Sequence, residues 1–95
     1  MVSREAQEDL YGIWVYIARD SVHAANRVEQ EMHETFAALS SMPRLGHLRK
    51  DLTTRPVLFF SIYSYLIVFE PELKPLRILA VLHGYRNVKQ VLKTR

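Results

Sequence analysis

Leu66-Ile67-Val68-Phe69-Glu70 and Leu76-Arg77-Ile78-Leu79-Ala80-Val81-Leu82 decide how this chain folds. Both runs are short and apolar, and the turn residues Pro71-Glu72-Leu73-Lys74-Pro75 join them, so they read as two strands. Tyr65, Ile67 and Phe69 fall on one side of the first, Leu66 and Val68 on the other. Both sides are apolar, which makes this a central strand covered on two faces. The second strand runs straight into His83-Gly84-Tyr85-Arg86-Asn87. A histidine, a glycine and an arginine thus stand where side chains pass from packing to chemistry. Cations beside a glycine suit a polar or anionic partner, and the same run also reads as a solvated turn.

Upstream, a strand is expected over part of His47 to Leu52 and another over Val57 to Ser61, with Ile62 to Ser64 turning into the central one. Met42-Pro43-Arg44-Leu45-Gly46 is a linker with turn chemistry. The chain before it reads as two helices. Ser3 is a cap whose hydroxyl accepts from the free amides of the opening turn, and Ala6, Leu10, Ile13, Trp14, Ile17 and Ala18 then follow at helical spacing. Asp20 or Ser21 caps the second helix. Its apolar stripe is Ala25, Val28, Met32, Phe36 and Leu39, and Pro43 stops it. So short a connection predicts an antiparallel helical hairpin. One face of the sheet should take that hairpin. The other takes the tail from Val88 to Lys93, or a partner.

The 95 residues make one domain, and 48% of them are hydrophobic, enough for a core without staples. Cysteine is absent, which rules out disulfides and thiolate metal sites and fits a reducing compartment. No apolar run reaches membrane-spanning length, and the start lacks a secretory pattern, so a soluble cytoplasmic protein is expected. The net charge of +3 hides an asymmetry. Residues 1–40 hold three basic and seven acidic side chains, a balance of −4. Residues 41–95 hold ten basic and three acidic, a balance of +7. A basic second half favours an anionic partner.

Four stretches together resemble the RelE/ParE toxin superfamily, and its ParE branch in particular. They are Ala6-x-x-Asp9-Leu10-x-x-Ile13-Trp14-x-Tyr16-Ile17, Pro43-x-x-Gly46-x-x-Arg49-x-Asp51-Leu52, Tyr65-x-Ile67-x-Phe69 and Val81-Leu82-His83-Gly84-x-Arg86. The resemblance implies an α+β fold, an antiparallel helical hairpin packed on a four-stranded, mainly antiparallel sheet. The family's opening strand is short or missing here, because only Met1-Val2 precede Ser3. It implies the toxin of a type II toxin–antitoxin pair of the plasmid-stabilising kind. Such a toxin inhibits DNA gyrase by binding and is neutralised by a ParD-like antitoxin. It implies no cofactor, no membrane and no sequence-specific contact with nucleic acid.

Two alternatives stay open: a RelE-like, ribosome-dependent endoribonuclease, and a non-toxic module that only binds an antitoxin. In-line cleavage of RNA needs a general base, a cation and an acid. Arg77, His83, Tyr85 and Arg86 offer such groups, but the tail after Arg86 holds neither an aromatic residue nor a histidine. Binding rather than catalysis is therefore the reading, with no catalytic residue assigned. The target-facing candidates are Arg49, His83, Arg86, Lys89, Lys93 and Arg95. Arg49 is either such a residue or the partner of an acidic helix residue such as Glu34. Val88, Val91 and Leu92 would dock the tail while Lys89, Lys93 and Arg95 point outward. The antitoxin-facing candidates are Trp14, Phe59, Phe60 and Tyr63, since the stretch from Phe59 to Phe69 holds more aromatics than one small sheet face needs. No metal site is expected, because the histidines lack a third ligand at useful spacing.

Overall fold

The computed structural model describes residues 1–84 and 87–95. In chain order these form α1 (Arg4–Ala18), α2 (Val22–Ser41), a 3-10 turn at Pro43–Leu45, β1 (Leu58–Ile62), β2 (Tyr65–Glu70), β3 (Arg77–His83) and α3 (Val88–Thr94). Both long helices start on serine hydroxyls. Ser3 Oγ accepts from the Ala6 amide at 3.1 Å and Ser21 Oγ from the Ala24 amide at 3.0 Å, which satisfies donors that have no partner inside the helix. Among the described residues, no helix is long and apolar enough to cross a membrane.

Among the described residues the sheet has three strands rather than four, in the order β1-β2-β3, each pair antiparallel. The strand expected near His47 to Leu52 shrinks to one bridge, with His47 and Phe59 exchanging amide–carbonyl bonds of 2.8 Å. The reason lies in Arg49-Lys50-Asp51. A charged run has no apolar side to bury, and its backbone closes locally, the Arg49 carbonyl accepting from the amides of Leu52 and Thr53. The opening strand is likewise a single parallel bridge, Val2 to Ile78, on the outer edge of β3. There the Ser3 amide donates to the Ile78 carbonyl at 3.0 Å, and the Ile78 amide to that of Met1 at 2.8 Å.

Both faces of β2 are covered, as its pattern requires. On the front, Ala6 and Leu10 of α1 and Met32, Phe36 and Leu39 of α2 share a core with Ile67, Phe69, Ile78 and Val81. On the rear, Val88 and Leu92 of α3 lie over Val57, Phe59, Leu66, Val68, Leu79, Ala80 and Leu82. Leu79 and Ala80 are neighbours in sequence yet face the same side. A β-bulge explains it: Val68 pairs with Ala80 and Phe69 with Ile78, leaving Leu79 as the extra residue. Gly46 is required by space. A Cβ there would lie 2.5 Å from the Phe69 ring and 2.9 Å from the Leu58 Cβ. A larger residue would drive this segment off the edge of the core.

Candidate functional site

Two recesses flank α3. The first is an open groove of about 620 Å³ between α1 and the end of β3, lined by Glu8, Asp9, Gly12 and Tyr16 on one side and by Tyr65, Val81 and His83 on the other. Gly12 widens it, since a Cβ there would meet nothing within 4 Å. The second is a cleft of about 700 Å³ between the turn segment 52–55 and α3, lined by Arg55, Lys89, Lys93 and Arg95 together with Thr53, Thr54 and Thr94.

Asp9 and Arg95 form the wall between them. Arg95 grips the carboxylate with both terminal nitrogens, at 2.5 and 3.0 Å, and also reaches the Leu79 carbonyl at 3.3 Å. The same Asp9 accepts from the Val81 amide at 3.0 Å. The hydrogen-bonded carboxylate raises the Arg95 pKa against the opposing effect of burial, so the guanidinium stays charged in a place where it is only 19% exposed. One ion pair thereby joins α1, the edge of β3 and the end of α3.

The structure divides the target-facing candidates. Lys89 and Lys93 are exposed on α3 and share the cleft. Arg95 borders it but does not point outward, contrary to the expectation from its place in the tail, because Asp9 holds it inward. Arg49 pairs with Asp51, at 3.0 and 2.8 Å, rather than with Glu34, and this contact keeps the Asp51 carboxyl below its usual range. His83 is exposed at the end of β3 in the other recess, its ring 5.4 Å from that of Tyr65. Arg86 lies outside the described residues, as does Tyr85.

The antitoxin-facing candidates separate too. Phe59 is 2% exposed and belongs to the rear core, so it presents nothing to a partner. Phe60 is half-buried against the front core. Trp14 is half-buried, its indole N–H donating to Asn26 Oδ1 at 2.9 Å and tying α1 to α2. Tyr63 is 58% exposed at the two-residue turn between β1 and β2, in a left-handed backbone conformation, its hydroxyl donating to Glu31 at 2.5 Å. That contact with a carboxylate raises the Tyr63 pKa.

Tyr11 and Tyr16, 69% and 66% exposed on α1, carry surface aromatic area that the sequence reading passed over. Their signal was available, since both fall outside the apolar stripe of that helix. Arg55 was also passed over, and nothing in Thr53-Thr54-Arg55-Pro56 marks it. Among the described residues, no three His, Asp or Glu side chains are placed to hold a metal ion.

Comparison with known proteins extends this geometry. No curated protein matches the chain. The family model for the ParE toxin of the type II toxin–antitoxin system, parDE, matches residues 1–88, from the Val2 bridge through both long helices and the whole sheet to the first residue of α3. With so much of its length matched, the chain belongs to the ParE toxin family of type II toxin–antitoxin systems.

Proposed function

We propose that this chain inhibits DNA gyrase by binding it, and that a ParD-like antitoxin neutralises it. The family match over residues 1–88 carries the reading. The groove beside α1 is the antitoxin's place in it. An apolar wall of Ile13, Tyr65 and Val81 lies there next to exposed Tyr16 and the outer edge of β3. The target side is the basic one, with Lys89 and Lys93 at its centre and Arg49 and Arg86 as further contacts, while His83 lines the antitoxin's groove instead. Arg95 acts within it as a positioning residue, because its charge is already engaged by Asp9. Chemistry favours binding over RNA cleavage. The tail after Arg86 holds neither an aromatic residue nor a histidine, which leaves proton transfer in this part of the chain to His83 and Tyr85 alone.

The test is to express the chain alone and assay purified gyrase for supercoiling and for trapped cleavage complexes, with programmed ribosomes in parallel. Supercoiling should fall and messenger RNA stay intact. Unimpaired gyrase together with site-specific cleavage of the message would replace this reading with the endoribonuclease one.

A further inference from the structure

We propose that the cleft between residues 52–55 and α3 binds the sugar–phosphate backbone of a nucleic-acid strand without reading its sequence. The proposal rests on the reading of α3 as a target-facing element, since gyrase is a target that holds DNA.

Lys89 and Lys93 stand one turn apart on the same side of α3, about 6 Å along its axis, a separation comparable with that of neighbouring phosphates on one strand. Like charges at this spacing destabilise a helix by a few tenths of a kcal/mol. Yet neither lysine has a carboxylate within ion-pair distance among the described residues. Asp51, whose charge Lys89 does feel, is engaged by Arg49. Arg55 enters from the opposite wall. One of its N–H groups donates to the Leu92 carbonyl at 2.6 Å, and a guanidinium has five such donors. The Thr53 hydroxyl accepts from the Arg55 amide at 3.1 Å, so its own proton is available to donate. Three cations and a hydroxyl donor thus converge on one cleft, with Arg95 excluded from the count because Asp9 neutralises it.

The same lining argues against a peptide. Among the described residues it offers no strand edge, and its apolar members are half-buried Leu52 and buried Leu92, which form no pocket for a large apolar anchor. Among the described residues no aromatic side chain lines the cleft, so those residues give bases nothing to stack on, and the contact is made to phosphates.

The experiment is fluorescence anisotropy of the purified chain with a labelled single-stranded DNA oligonucleotide, in several scrambled sequences and over a series of salt concentrations. Binding at low salt should be indifferent to sequence. Its log K should fall against log[salt] with a slope of about −2, corresponding to three phosphates at about −0.7 each. The double variant K89Q/K93Q, checked for fold by circular dichroism, should lose at least tenfold in affinity at low salt, with a slope of about −0.7. The control R44Q/K74Q, which removes exposed cations elsewhere, should bind as the parent does. Three results would overturn the proposal: no binding at low salt, undiminished binding by K89Q/K93Q, or equal binding of poly-glutamate, which would make the cleft an acidic-peptide site. Gyrase is absent from this assay. Failure here with gyrase inhibition intact removes the phosphate site alone, whereas oligonucleotide binding without inhibition removes the gyrase reading.

Discussion

The two faces of the sheet are buried equally well and held in different ways. Ile67 and Phe69 on the front and Val68 on the rear are all fully buried. The front cover is two helices of 15 and 20 residues with a broad apolar surface. The rear cover is a helix of seven residues, too short to persist by itself. It lies on Val88 and Leu92 and is latched at its end by two polar contacts, Arg95 to Asp9 and Arg55 to the Leu92 carbonyl. The front therefore depends on packing, and the rear on packing together with paired charge. The rear is also where the cationic cleft lies, so there the groups that bind and the groups that stabilise are neighbours.

The largest expected effect breaks the front. Phe69→Ala should cost about 4 kcal/mol, the usual range for a large aromatic removed from a core, read as the shift in free energy of chemical unfolding. A loss below about 1 kcal/mol would mean that this core relaxes freely around the gap. Next comes the rear latch. Asp9→Asn leaves a mostly buried guanidinium without its counter-charge and should cost about 2–3 kcal/mol. Hydrogen exchange should accelerate at Leu92 before it does in α2. Adding Arg95→Gln should recover part of the loss, since no unpaired cation then remains. If Asp9→Asn unfolds α2 and α3 together, the two faces are not held separately. Gly46→Ala should cost about 1–3 kcal/mol through the clash with Phe69, and the extra substitution Phe69→Leu should relieve some of it.

The smallest effect concerns pH. Burial holds the Tyr65 phenol above its ordinary value near 10, so the folded state resists ionisation that the unfolded chain accepts. This contribution is complete below pH 10 and is lost as pH rises through the folded value. Tyr65→Phe should flatten the alkaline arm of a stability–pH curve and leave it unchanged at neutral pH. An equally steep arm in the variant would assign the effect to other groups, with Tyr63 the first to examine.

Much of this was legible in the sequence because periodicity carries it. The alternation along β2 placed Ile67 and Phe69 opposite Leu66 and Val68, and the spacing of Val88 and Leu92 identified a docked tail. The bulge at Leu79 was hidden, since a continuous apolar run shows no break in pattern. Phe59 and Phe60 looked alike because which of two adjacent aromatics faces inward depends on strand register. Lys89 and Lys93 were readable as outward cations from their spacing on one helix. Arg95 was not, because its partner Asp9 lies 86 positions away and local pattern cannot report so distant a contact.

The bridge between Val2 and Ile78 has a consequence in time. Ser3 meets β3 across 76 positions of sequence, and at synthesis rates of about 5–20 residues per second the opening of the chain waits roughly 4–15 seconds before its pairing partner has been made. Until the sheet is made, α1 and α2 have only each other to cover the apolar sides they later turn to it. Most of the fold's pairings are local, since α1 packs on α2 and each strand pairs with its neighbour in sequence; the distant contact that closes the chain's opening onto β3 waits for that strand. A nascent chain halted before β3 is therefore an open helical fragment, exposed to proteases and to aggregation. The toxin becomes a stable object only when its last third is in place.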